Sequence, residues 1–275
     1  MNLDYYTLLC PVPISLSIGT IRQPTLREIG EITFFRFGMY QVYIKLTPKE
    51  YYTVLNTEKG EKFWNLLTEE QRENITLYDV ILFEKSVLKV YLDIFNFFFV
   101  ERVIFRDNLF FIIKTDDYSI EDKDIKLTEN NVCGVITPNN ILEILDIIQQ
   151  ICCIKSNDPL DEQKPKFKNE KAKRLYERML KAKEKQNNRR MKKEYYNLTL
   201  PNIISATAYK VHGLNILNIW DATLFQVYDQ FEKAQNDDAH YMNCVRVAVW
   251  GDEKNQFDPS LWYKNNFDKQ NLQND

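Results

Sequence analysis

Apolar residues recur at helical spacing along most of the chain, and the pattern is clearest in Asn202–Phe231. Pro201 stands where a first helical turn tolerates it, since that turn's N–H has no partner. Ile203, Ile204, Ala208 and Val211 follow at helical spacing, and Gly213 marks a stop. Asn218 and Asp221 can each cap a second helix, whose apolar positions are Trp220, Leu224, Val227, Tyr228 and Phe231. Tyr241, Cys244, Val245, Ala248 and Val249 keep the same spacing, so this second helix can run on to Gly251.

The first half reads as helices with short strands. Val12–Ile18 alternates apolar and polar residues, with Pro11 and Pro13 pushing it to an edge. Gly19–Pro24 reads as a turn. Thr25 and Glu28 make a capping box for LREIGEI. Ile32–Leu46 inclines to helix. Thr47-Pro48-Lys49-Glu50 opens Pro48–Asn56, Gly60 breaks before Glu61–Leu67, and Thr68 to Thr76 is a polar connection. Leu77–Phe83 and Lys85–Val100 read as helices, the second apolar almost all round and therefore buried. Arg102–Phe105 and Leu109–Lys114 form a hairpin about Arg106-Asp107-Asn108. Asp116–Asn131 is a polar surface loop, Val132–Ile136 a short strand, and Ile141–Ile154 a helix. The fold class expected is mainly α with a small β component, an α+β arrangement.

Composition changes sharply once. Between Lys164 and Lys193 there are fourteen Lys or Arg against three Glu, in a chain whose net charge is −3. The segment therefore reads as a charged helix or linker between two packed units. The expected organisation is an N-terminal domain over 1–155, a basic linker over 156–199 and a C-terminal helical hairpin with an aromatic tail over 200–275. That tail holds Phe257, Trp262, Tyr263 and Phe267, and aromatic residues in a charged tail mark a segment that docks on its own domain or on a partner.

Five cysteines (Cys10, Cys133, Cys152, Cys153, Cys244) form no CxxC, and free thiols in a reducing compartment are the expectation. The N-terminus has no basic start and no apolar signal core. The most apolar run, Val87–Val100, contains Lys89 and Asp93 and is shorter than the roughly 20 residues of a membrane span. A cytosolic protein without a membrane partner is expected.

Catalytic chemistry finds little support. P-loop, GxGxxG, HExxH and nucleophile-elbow patterns do not occur. His212 reads as a helix-end cap and His240, near Asp237 and Asp238, as part of a solvated face. Asp221 and Asp229 lie about 12 Å apart along a helix, further than the roughly 5–9.5 Å of paired catalytic carboxylates. No enzyme, no metal and no cofactor are expected. The basic segment supplies the alternative, nucleic-acid contact through Lys173, Arg174, Arg178, Arg189 and Arg190, although only Phe167 and Tyr176 could stack on bases there.

Pro11–Ile32 and Pro201–Trp250, above all Asn218-Ile219-Trp220-Asp221 through Tyr228-Asp229-Gln230-Phe231, resemble the tail assembly chaperones of long-tailed bacteriophages of Firmicutes. The resemblance implies a non-enzymatic protein of the host cytoplasm that coats the tape-measure protein and helps tail-tube subunits assemble on it. Trp220, Phe225, Tyr228 and Phe231 are the expected partner surface, because two hairpin helices cannot bury both faces unaided; self-association would use the same residues. A nucleic-acid adaptor using 164–193 and a minor virion tail protein are the alternatives.

Overall fold

The computed structural model describes residues 2–55, 57–114, 125–128, 130–154, 199–252 and 257–263. The basic segment 164–193, with Lys173, Arg174, Arg178, Arg189 and Arg190, lies outside the described residues. So do Phe267 and most of the polar loop 116–131. Among the described residues the fold is mainly helical with two small antiparallel sheets. The chain divides into two compact units, Met1–Lys155 with Trp220–Gln226, and Ser156–Ile219 with Val227–Asp275.

The first unit opens with α1 (Tyr5–Leu9) and a hairpin of β1 (Ile14–Leu16) and β2 (Gly19–Ile21), in which Ile14 pairs with Ile21. Gly19–Ile21 is thus a strand and not part of a turn. Its partner lies just upstream, and only three residues pair, too few for an alternation to be visible. Helices α2 (Leu26–Ile32) and α3 (Phe34–Ile44) follow.

Helix α4 (Pro48–Glu50) passes into a π-helical turn over Tyr51–Leu55. Next come α5 (Thr57–Leu66), α6 (Glu69–Asn74), α7 (Leu77–Phe83) and α8 (Lys85–Phe98). Gly60 lies inside α5 and does not break it. Thr68 starts a helix where a plain connection was expected, because Gln71 completes its capping box. Between Thr25 and Thr76 four threonines cap in this way, Thr25 with Glu28, Thr47 with Glu50, Thr68 with Gln71 and Thr76 with Asp79. Each satisfies helix-end N–H groups that would otherwise lack partners.

The second sheet takes β3 (Arg102–Arg106), β4 (Leu109–Ile113) and β5 (Val132–Ile136) in sequence order. Asp107 and Asn108 both hold positive φ, 51° and 60°, as a two-residue loop matched to strand twist requires. Helix α9 (Ile141–Ile151) closes the unit.

Helix α8 is central to this core. Val87, Tyr91, Ile94, Phe95 and Phe98 are buried on it. The Phe95 ring meets Tyr91, Phe99 and Phe110 at centroid distances of 6.1, 6.4 and 5.1 Å. The two buried phenols nearest this core are paired. The Tyr91 hydroxyl donates to the Tyr43 carbonyl at 2.6 Å, and the Tyr78 hydroxyl donates to the carbonyls of Asn108 and Ile136. Burial pushes the Tyr78 phenol up to about 12 and that of Tyr91 further still. Asn96 ties α8 to β3, accepting from Val103 N–H at 2.9 Å and donating to Val103 C=O at 2.8 Å. A Cβ on Gly134 would lie 2.5 Å from the backbone of Ile18, so β5 and the β1–β2 turn approach as closely as they do only because no side chain intervenes.

In the second unit, α10 (Leu200–Lys210) begins with Pro201 in its first turn and buries Ile203, Ile204 and Thr207. The last helix, α11 (Leu224–Trp250), has 27 residues and so runs about 40 Å. Gly251 ends it with φ 74° while its N–H bonds Val247 C=O.

Candidate protein-docking surface

The cap of α11 is Thr223. Its hydroxyl accepts from Gln226 N–H at 3.3 Å, and the Gln226 side chain accepts from Thr223 N–H at 2.9 Å. Neither Asn218 nor Asp221 caps the helix. Asn218 closes the preceding loop instead, accepting from Asn215 N–H and donating to Gly213 C=O. Asp221 sits in a short 3₁₀ turn, and one of its carboxylate oxygens accepts from Nε and Nη2 of Arg27 at 3.1 and 2.8 Å.

The four residues expected to meet a partner differ in position. Phe225 is 6% exposed, with its ring edge-on to Tyr5 at 6.1 Å. Trp220, Tyr228 and Phe231 are half-buried. Trp220 and Phe225 fall in the segment Trp220–Gln226 that counts with the first unit, and Tyr228 and Phe231 fall in the second.

Further along α11 the apolar side chains stand open. Tyr241 is 70% exposed, Met242 64%, Val245 46% and Val249 64%. At 100° per residue, Tyr241, Val245 and Val249 advance only 40° at each step, and Met242 falls beside them. They form one apolar face about 12 Å long. Asp238 lies on the same face one turn earlier and forms an ion pair with Lys210.

The other flank of the helix is partly covered. The His240 ring packs on Phe257 at 5.6 Å, and Lys233 Nζ donates to the Tyr263 carbonyl at 3.0 Å. Cys244 and His240, one turn apart there, approach to 3.5 Å between Sγ and Nε2. Part of the aromatic tail thus docks on its own helix, and Trp262 and Tyr263 stack edge to face at 5.0 Å, both half-exposed. What can bind here is another apolar side-chain surface, and a helix is the shape that matches a single stripe.

The sequence marks Tyr241, Val245 and Val249 as helical positions. It gives no sign that their face stays open, because the same spacing serves a buried face equally well. A usable signal is their place beyond Asp237 and Asp238, where the polar run Gln235–Asp238 interrupts the apolar stripe. No group of three or more His, Cys, Asp or Glu is arranged to hold a metal ion among the described residues. No helix among them is long and apolar enough to cross a membrane.

Residues 184–266 match the model of the YomV second domain, a phage-associated family. No curated protein and no solved structure matches the chain. The matched stretch contains α10, α11 and the open apolar face.

Proposed function

We propose that this chain is a non-enzymatic phage protein that holds an apolar helical client during tail assembly, in the manner of a tail assembly chaperone. The client is the tape-measure protein, with tail-tube subunits recruited to it in the host cytoplasm. One observation carries the reading: the stretch similar to a phage-associated domain presents Tyr241, Met242, Val245 and Val249 on an open helical face. Four such side chains, at roughly 1.5–3 kcal/mol each when fully buried, offer attraction enough for binding. The ordering costs of association leave only part of that as affinity. A chaperone that must later release its client needs that modest balance. Tyr228 and Phe231 lie toward the start of α11, half-buried and separated from the open face by the polar run Gln235–Asp238, while Phe225 acts by holding the helix start in place.

The test is an affinity pull-down of the tagged full chain from phage-producing cells, washed at high salt, with retained proteins identified by mass. A tape-measure or tail-tube protein should be retained. Recovery of nucleic acid at low salt, with no protein at high salt, would move the function to the basic segment 164–193.

A further inference from the structure

The π-helical turn Tyr51–Leu55 packs against α5 in the first unit, and a second aromatic cluster forms where they meet. The Tyr52 ring meets Tyr51, Phe63 and Trp64 at centroid distances of 5.0, 5.2 and 5.6 Å, the last pair stacked. Tyr51 and Trp64 are buried. Their neighbours Val54, Leu55, Phe63 and Leu66 are exposed, Leu66 at 84%. Phe63 and Leu66 stand three residues apart, on one side of α5. Capping boxes at Thr47 and Thr68 fix the entry to the π turn and the start of α6, so the apolar face is held ready.

The charge around this face has one sign. Glu61, Glu69, Glu70, Glu73 and Asp79 are exposed, and Lys62 is the one exposed cation among the described side chains of residues 51–79. Gln71, rather than a glutamate, completes the cap of α6. Arg72 turns to the end of α5, donating to the carbonyls of Trp64 and Asn65 at 3.0 and 3.3 Å. The Tyr52 phenol registers the field: burial raises it first, and the carboxylates of Asp79 and Glu84 raise it further.

We propose that this face binds a basic amphipathic helix of a partner protein. The apolar side of that helix rests on Val54, Leu55, Phe63 and Leu66, and its lysines and arginines meet Glu69, Glu70 and Glu73. Two features select this occupant. An uncharged apolar helix would desolvate the carboxylates without pairing them, and a phosphate backbone would be repelled by them. A helix whose apolar stripe is bordered by cations answers both the patch and its rim. The face belongs to the first unit, so the inference does not rest on the client reading of α11.

The probe is a fluorescent peptide of leucine and lysine, about 16 residues long and patterned as an amphipathic helix, titrated into the full chain. It should bind, and more weakly as salt is raised. Leu66→Asp and the double variant Glu69→Lys/Glu70→Lys should each weaken it about tenfold. The same peptide with glutamate in place of lysine should not bind. Failure of the lysine peptide to bind, or equal binding by wild type and both variants with circular dichroism showing them folded, would overturn the proposal. If a variant fails to fold, hydrogen exchange on the wild-type chain decides. The probe should slow exchange within residues 51–74, and protection elsewhere only, or none, contradicts the site. A peptide of residues 164–193 that binds this face as tightly as the probe would make the chain's own segment the occupant and overturn the assignment to a partner.

Discussion

Helices α8 and α11 carry the same kind of sequence and meet opposite fates. Both repeat large apolar residues at helical spacing. On α8 every member of the repeat is enclosed, and Tyr91, Ile94, Phe95 and Phe98 have no exposed surface. On the second half of α11 the repeat faces outward, with Val245 and Val249 roughly half to two-thirds exposed. Periodicity specifies a face, and only the neighbouring elements decide whether that face is covered. Around α8 the neighbours are α3, α7 and β3. The distal part of α11 has Phe257–Tyr263 against one flank. On the function proposed above, the open face is the surface that would meet the client, and this is where the two helices would differ in purpose.

The sharpest way to break this comparison is to cut into the enclosed helix. Phe95→Ala removes a ring with three aromatic neighbours. It should cost about 3–5 kcal/mol in chemical denaturation. A loss below about 1 kcal/mol would mean that the core is not centred on α8. Gly134→Ala comes next, because its methyl group would meet the Ile18 backbone at 2.5 Å. A loss of about 2–3 kcal/mol is expected, with the backbone forced to shift. A neutral result would contradict the close approach of β5 to the β1–β2 turn.

Smaller effects sharpen the picture. The Tyr78 phenol ionises near 10 when unfolded and at about 12 when folded, because burial disfavours its charged form. Its contribution is therefore intact below pH 10 and is lost as the pH rises to about 12, where the unfolded chain releases the proton more readily. Stability measured across that window should fall. Tyr78→Phe should flatten part of the fall, while buried Tyr91, shifted in the same direction, keeps the remainder. Thr25→Ala removes one half of a capping box and should cost about 1 kcal/mol, measured by thermal unfolding. Smallest of all, Val245→Glu on the open face should change stability by no more than about 0.5 kcal/mol. That near-silence is itself the contrast with Phe95.

Local signals in the sequence carried far. Thr25 with Glu28, Thr47-Pro48-Glu50, the Asp107-Asn108 loop and Gly251 each announce an element boundary through chemistry complete within a few residues. Reading failed where the deciding partner was distant or the competing signals were equal. Gly19–Ile21 is a strand only through its pairing with Ile14–Leu16. Asn218, Asp221 and Thr223 are all good caps by type. Thr223 takes the role because Gln226 stands three residues on, while Asp221 is drawn to Arg27, far away in sequence. Of the surface, the sequence located the helix but not its open side. The docking of Trp220–Gln226 on α1 and α2 leaves no local trace at all.

The most direct test of the account compares wild-type chain with Val245→Glu in retention of the tape-measure protein under a high-salt wash. The account predicts that the variant melts with the wild type yet retains about tenfold less client. Equal retention by two equally folded chains would contradict it, and the open face of α11 would not be where the client is held.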